Sequence, residues 1–254
     1  MATQTKIALV TGGSRGLGKD MAISIAKKGI DIMLTYRTNK TEAEHTVKEI
    51  ESMGQKAAAL RLDMNDFTSL DNFVQQVLKT LQSKWNAGSF DFLVNNAGIG
   101  ATVPFTEVTE ELFTDFLNVH FKGVYFLTQK CVSHINEGGC IINISTGTTR
   151  FSNPGYSVYA SMKGAVEVFT KYLAKELGAK AIRANIVAPG PIETDFNNAA
   201  IRNNPQMKER LSSLSPLGRV GNANDIGGVV AFLCTDDAKW INGQRIEVSG
   251  GINL

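Results

Sequence analysis

The sequence has 254 residues, 43% hydrophobic and 20% charged, with 26 basic against 24 acidic residues and a net charge of +2. A chain of that size can bury a large core, and its balanced charge excludes a broad field for nucleic acid or an anionic membrane. Three cysteines make no even disulfide framework, no apolar run approaches the ~18 residues of a membrane span, and Met1-Ala2-Thr3-Gln4-Thr5-Lys6 carries no apolar signal segment, so a soluble, cytoplasmic protein is expected.

Lys6 to Thr11 is a short apolar run that ends in glycines, and a helical pattern follows from Leu17 to Lys28, stopping at Gly29. A second apolar run, Ile30 to Tyr36, precedes a charged helix from about Thr41 to Met53, closed by Gly54. Strand-like Lys56 to Leu62 leads to a helix from about Phe67 to Gln82. Phe90 to Asn95 and Ile141 to Ser145 read as buried strands, with helix near Glu110–Ile135 between them. A long helical stretch near Gly155 to Leu177 precedes strand Ile182 to Val187; a helix near Asp225 to Cys234 and a strand Gln244 to Val248 close the chain.

Apolar strands alternating with helices predict crossover units on a parallel sheet. The expected fold class is α/β: one doubly wound domain over residues 1–254, with a central parallel sheet of about seven strands and helices on both faces. Pro189 to Arg219 lacks clear periodicity and holds four of the six prolines. It follows a strand's carboxyl end, where substrate loops and lids occur.

Thr11-Gly12-Gly13-Ser14-Arg15-Gly16-Leu17-Gly18 joins the first strand to the first helix. Glycines there let a pyrophosphate approach the backbone, and a helix N-terminus favours the anion. The spacing is G-x-x-x-G-x-G, not the commoner G-x-G-x-x-G. The second strand ends Leu34-Thr35-Tyr36-Arg37-Thr38-Asn39, and no acid for ribose hydroxyls appears before Glu42. Arg37 stands next to where that acid would be, and Arg15 lies inside the glycine turn. Two guanidiniums suit a 2′-phosphate, which favours NADP(H) over NAD; the plainer alternative is two solvated arginines.

Tyr159-Ala-Ser-Met-Lys163 places a phenol and an ammonium on one helix face. Such a pair arises by chance in roughly a third of chains of this composition. A second copy, Tyr36-x-x-x-Lys40, has no supporting context. Context therefore decides. Cys131 and His134 have ligand-like spacing, but no second cysteine pair completes a site, and no metal is expected.

These residues together resemble the short-chain dehydrogenase/reductase family over nearly the whole chain. The matching segments are the T-G-G-S-R-G-L-G turn, Asp63, Asn95-Asn96-Ala97-Gly98, Asn118, the I-N-I-S-T run, Tyr159-x-x-x-Lys163, Pro189-Gly190-Pro191-Ile192-Glu193-Thr194 and Ser249-Gly250-Gly251. The resemblance implies a Rossmann fold whose cofactor is bound by Gly12, Ser14, Arg15, Gly16, Leu17 and Gly18 with Tyr36 and Arg37. It implies that Asp63 and the backbone at Met64 contact adenine, and that Asn95, Ala97 and Gly98 line the adenosine ribose. It further implies that Pro189 and Gly190 lead to Ile192 and Thr194, which would hold the nicotinamide carboxamide. Tyr159 and Lys163 complete the cofactor set.

The implied catalytic group is Asn118, Thr146, Tyr159 and Lys163. The family's hydroxyl residue lies thirteen positions before the tyrosine; that position is Thr146, where the family usually has Ser. Adjacent strand residues point to opposite faces, so spacing favours Thr146 and leaves Ser145 as the runner-up. Tyr159 would act as general acid/base. Lys163 would draw its pKa toward neutrality and grip the nicotinamide ribose, and Asn118 would hold a water that relays protons to Lys163. The expected activity is NADPH-dependent reduction of a ketone to a secondary alcohol. Pro216-Leu217-Gly218-Arg219, Asp225-Ile226 and Gly243-Gln244 resemble the 3-oxoacyl-acyl-carrier-protein reductase branch, which is the alternative. A non-catalytic NADP-binding sensor is the remaining one. The partners expected are a small-molecule substrate, with no nucleic acid and no membrane. The helices near Glu110–Ile135 and Gly155–Leu177 resemble those that build homotetramers in the family.

Overall fold

The computed structural model describes residues 5–254. Seven strands form its centre: β1 (Ile7–Val10), β2 (Asp31–Tyr36), β3 (Ala57–Arg61), β4 (Phe90–Asn95), β5 (Ile135–Ile144), β6 (Arg183–Pro189) and β7 (Arg245–Val248). Among the described residues nine α-helices connect them: α1 (Gly16–Ala26), α2 (Lys40–Ser52), α3 (Leu70–Thr80), α4 (Glu110–Leu117), α5 (Gly123–Cys131), α6 (Ser157–Glu176), α7 (Phe196–Ala199), α8 (Pro205–Ser213) and α9 (Asn224–Leu233). The strands pair in the order β3-β2-β1-β4-β5-β6-β7, and every pairing is parallel.

The apolar runs form strands because both their faces are covered. In β1, Ile7 and Leu9 pack on the side of α3, α5 and α6. Ala8 and Val10 pack on the side of α1, α2 and α9. A period of two thus feeds two separate cores. Helix starts are set locally: the side chains of Asn39, Thr109 and Asn204 accept from the backbone N–H groups of Glu42, Leu112 and Met207. The sheet order reverses direction between β1 and β4, which opens a crevice above the strands' carboxyl ends.

Three elements depart from the sequence expectation. β5 begins at Ile135, upstream of the expected Ile141, because the pairing skips from Phe90↔Ile135 to Phe92↔Cys140. Gly138, at φ +79°, lets the chain bulge there. The helix expected near Glu110–Ile135 is interrupted at Asn118–Lys122, where Gly123 N–H reaches Asn118 O in an i→i+5 bond. The aperiodic Pro189–Arg219 segment carries α7 and α8, with Asn197 and Asn198 in left-handed conformation at φ +52° and +56°. No helix among the described residues is long and apolar enough to cross a membrane.

α1 and α9 lie close enough that Gly227 has no room for a side chain. A Cβ there would overlap the Asp20 carboxylate and approach Ser24 Oγ to 2.6 Å and Asp20 O to 2.9 Å. At the adjacent Gly228 it would meet nothing within 4 Å. Gly227→Ala should therefore cost about 1–3 kcal/mol by forcing the helices apart, lowering the melting temperature by roughly 2–12 °C. Gly228→Ala should be neutral or stabilising by up to about 1 kcal/mol. Thermal melts of both variants check the pair, and equal melting temperatures would contradict it.

Candidate active site

The crevice is a cavity of about 1180 Å³ that runs from the glycine turn to the segment carrying α7 and α8. Gly12 and Gly16 hold φ of +65° and +55°, which the turn requires. A Cβ at Gly18 would overlap the Gly12 carbonyl, so α1 starts directly against the turn. The turn is tied to the loop after β4. The Thr11 hydroxyl donates to Val94 O at 3.2 Å and accepts from the N–H groups of Asn96 (2.9 Å) and Ala97 (3.0 Å). Asn96 Nδ2 donates back to Thr11 O at 2.9 Å. The first turn of α1 carries neither a side-chain cap nor an acid, so its N–H groups are left for an external anion.

Arg15 and Arg37 border this end of the cavity, both exposed and, among the described residues, without an acidic partner. Ser14, Leu17, Tyr36, Asp63, Met64, Ala97 and Gly98 line it as well. Asp63 Oδ1 accepts from Asn65 N–H at 3.0 Å, shaping the turn after β3.

At the other end, Thr146 leaves β5 opposite Tyr159 and Lys163 of α6, with Pro189, Gly190, Ile192 and Thr194 alongside. The two neighbouring hydroxyls have different work. Ser145 Oγ donates to Glu167 Oε1 at 2.6 Å, a carboxylate also held by Thr149 Oγ1 (2.7 Å) and Arg245 Nε (2.9 Å). The Thr146 hydroxyl faces the Tyr159 phenol and accepts from Thr148 N–H at 3.3 Å.

Lys163 is 4% exposed and donates to Ile144 O at 2.7 Å; burial pushes its pKa down to about 8. Its ammonium lies 5.7 Å from the centre of the Tyr159 ring. Burial raises the Tyr159 phenol well above its ordinary value, and the hydrogen bond with Thr146 opposes the rise. This corrects the expectation that Lys163 draws the phenol toward neutrality. In the protein alone, desolvation of the phenolate is the largest influence on the phenol, and Tyr159 keeps its proton.

Two of the expected residues are not brought to the cavity. Asn95 is 3% exposed at the end of β4, the central strand, where its Nδ2 donates to Asn143 Oδ1 (2.8 Å) and Thr128 Oγ1 (3.0 Å). Strand alternation turns it toward the α5–α6 layer, and its neighbour Asn96 lines the cavity instead. Asn118 donates to Asn65 Oδ1 at 2.7 Å, outside the cavity lining. Residues two apart on a helix differ by about 200°, and it is His120 that faces inward. His120 is 1% exposed, and its ring centre lies 5.0 Å from that of Tyr159. A histidine two residues beyond the asparagine was the available sequence signal, but choosing between them needs the phase of an interrupted helix.

The cavity also has an apolar half that the sequence reading left undescribed. Phe151, Phe196, Met207, Leu211, Leu214 and Ile252 line it. Phe196 stands 6.0 Å from the Tyr159 ring, centre to centre, and fits over Gly100, where a Cβ would come within 2.8 Å of Phe196 Cε1. Asn197 Nδ2 donates to Thr102 Oγ1 at 3.0 Å, pinning α7 across the cavity mouth. Arg150 donates to the carbonyls of Ile252 and Asn253, both at 2.7 Å, and so holds the C-terminal turn against the same space.

Residues 12–253 match the family described as Enoyl-(Acyl carrier protein) reductase. The hydroxynaphthalene reductase-like protein Arp2 of Metarhizium guizhouense is 35% identical over 257 residues, 97% of this chain and 94% of that protein. The 3-oxoacyl-[acyl-carrier-protein] reductase FabG of Staphylococcus aureus is 36% identical over 252 residues, 98% of this chain and 99% of its own length. The solved structure of the angucycline C-6 ketoreductase LanV with bound NADP superposes with a TM-score of 0.93 at 35% identity, covering 98% of this chain and 96% of that one. Agreement of that extent in sequence and backbone makes this chain a member of the short-chain dehydrogenase/reductase family.

Proposed function

We propose that the protein is an NADPH-dependent ketoreductase acting on a largely apolar cyclic ketone. The observation that carries the reading is the position of Tyr159, Thr146 and Lys163 at the junction of the cavity's two halves. One half ends in a glycine turn, a free helix N-terminus and two arginines that have no acidic partner among the described residues; the other is walled by Phe151, Phe196, Met207, Leu211 and Leu214. The names of LanV, with its bound NADP, and of the hydroxynaphthalene reductase-like relative support both the cofactor and a ring-shaped ketone.

The residues present fit the cofactor. At Gly16, the first residue of α1, a Cβ would meet nothing closer than Thr194 Cβ at 3.8 Å, so the backbone of the open first turn stays clear where a pyrophosphate needs close approach to N–H groups. Arg15 and Arg37 would hold the 2′-phosphate, Asp63 and Met64 the adenine, and Ile192 and Thr194 the carboxamide. NADPH, when bound, supplies the hydride that reduces the carbonyl carbon. Tyr159, kept protonated by its burial, gives its proton to the oxygen on which negative charge develops, and the Thr146 hydroxyl donates a hydrogen bond to that oxygen. Lys163 offers its remaining N–H groups and its charge to the same corner. Phe113, Tyr125, Phe126, Val168 and Tyr172, exposed on α4, α5 and α6, support assembly as a homotetramer.

Tyr159→Phe should lower kcat by about 10²–10⁴-fold with NADPH affinity nearly unchanged. Thr146→Val should cost about 10²–10³-fold, whereas Ser145→Ala, which only frees Glu167 of one donor, should be mild. Steady-state kinetics of the three variants check this, and a Tyr159→Phe enzyme retaining more than roughly a tenth of the activity would sink the role of Tyr159.

Arg37→Asp replaces a phosphate-binding cation with an acid suited to ribose hydroxyls. It should cost about 1.5–3 kcal/mol of NADPH binding, or roughly 10–150-fold, and shift preference toward NADH. The ratio of kcat/KM for the two cofactors is the measurement; an unchanged ratio makes Arg37 a surface residue.

Reduction should also slow as pH rises through about 8, because Lys163 carries its charge below that value and loses it above. A kcat profile that climbs steadily across pH 8 would contradict this.

A further inference from the structure

Strand alternation on β7 packs Ile246 and Val248 against the core of α1, α2 and α9, and turns Arg245 and Glu247 to the opposite face, where Arg245 meets Glu167 of α6. The side chains of Arg245 and Glu167 are only 23% and 17% exposed. The guanidinium fork reaches three acceptors: Nε donates to Glu167 Oε1 and Nη1 to Glu247 Oε2, both at 2.9 Å, and Nη2 donates to the Thr146 carbonyl at 3.0 Å. Glu247 is also bound by Arg150 through two bonds of 2.9 Å, which hold its carboxyl down at about 2 and keep it charged at neutral pH.

The bond to Thr146 falls where the sheet stops. Ser145 N–H makes the final bond to β6, to Val187 O at 2.8 Å. Thr146 then leaves the strand in extended conformation and the chain bends into a single 3₁₀ turn, Gly147–Thr149. Two side chains reach its carbonyl, Arg245 and the Thr149 hydroxyl at 2.9 Å. Thr149 has one proton, and the Glu167 carboxylate, charged and nearer at 2.7 Å, is the stronger acceptor for it. Arg245 Nη2 is then the side-chain donor left to Thr146 O, and Thr149 Oγ1 accepts from the same nitrogen at 3.3 Å. A point charge would balance the two carboxylates as well. What a planar fork adds is a third donor of fixed direction, here aimed at the backbone of the residue that carries the hydroxyl.

Resting on the ketoreductase reading, we propose that Arg245 is a positioning residue for the catalytic hydroxyl: anchored on Glu167 and Glu247, it fixes the Thr146 carbonyl and with it the direction in which the Thr146 side chain meets Tyr159 and the substrate oxygen. The β-branched side chain of Thr146 has few rotamers, so a fixed peptide plane is enough to aim its hydroxyl. Without Arg245 the hydroxyl is still present but no longer held toward the oxygen on which charge develops, and a displacement of about 1 Å can cost as much as 10²-fold in rate.

The test is a double-mutant cycle between Arg245→Met, which keeps bulk without the donors, and Thr146→Val. All four proteins are assayed with NADPH and a panel of cyclic ketones, with NADPH binding and thermal melts alongside. Arg245→Met alone is expected to lower kcat roughly 10–100-fold while the Kd for NADPH stays within about twofold. In the Thr146→Val background, where no hydroxyl is left to aim, the same change is expected to cost less than about threefold. A residue that only holds the fold together would lower both backgrounds by one factor. The proposal stands on a loss of at least about tenfold in the first background and under about threefold in the second, and any other pair of factors overturns it. If Arg245→Met does not fold, Arg245→Met/Glu167→Gln, which removes one charge of each sign, takes its place and is judged by the same two factors. Wild-type enzyme inactive on every ketone would defeat the ketoreductase reading and the proposal with it, an outcome visible before any variant is made.

Discussion

Asn143, Ile144 and Ser145, consecutive at the end of β5, bind three positions of α6 about a turn apart. Asn143 Nδ2 donates to Thr170 Oγ1 at 2.8 Å, Lys163 Nζ donates to Ile144 O at 2.7 Å, and Ser145 Oγ donates to Glu167 Oε1 at 2.6 Å. These bonds set both the rotation and the height of α6 on the sheet. Tyr159, one turn before Lys163, consequently stands opposite the next residue of β5. That residue, Thr146, is the first one the clamp does not use, and strand alternation sends it toward the cavity.

The clamp extends inward through Asn143, whose Oδ1 accepts from Asn95 at 2.8 Å, and Asn95 in turn reaches Thr128 of α5. A buried run of amides and hydroxyls therefore joins β4, β5, α5 and α6. Such groups are costly when unpaired and rigidifying when paired. The glycine turn is tied to the far side of β4 through Thr11 and Asn96. The two halves of the cavity thus hang from one strand, and their spacing is a property of the sheet rather than of the loops.

Burial sets the protonation states on this frame. Desolvation lowers Lys163 to about 8 and raises Tyr159, so the ammonium is weakened while the phenol holds its proton. That pairing suits delivery of a proton to a developing alkoxide. It also means that the charge of Lys163 depends on the donors and acceptors around it, of which the Ile144 carbonyl is one.

Features that depend on near neighbours in the chain could be read from the residues. Ile7 to Val10 and Ile32 to Leu34 are apolar on both faces and so had to be covered strands. Gly12 and Gly16 had to be glycine for φ of +65° and +55°, and Tyr159 and Lys163 share a face because a helix repeats at that spacing. The bulge at Gly138 was harder, because Glu137-Gly138-Gly139 also reads as a turn. What the chain alone left open was which of two close neighbours looks into the cavity: Asn95 or Asn96, Ser145 or Thr146, Asn118 or His120. A one-residue shift reverses a strand's faces, and an i→i+5 bond rephases a helix. Those phases are decided by pairing and packing among elements far apart in sequence. Desolvation likewise sums over every element around a group, which is why only the tertiary structure could decide that burial, and not the neighbouring ammonium, governs Tyr159.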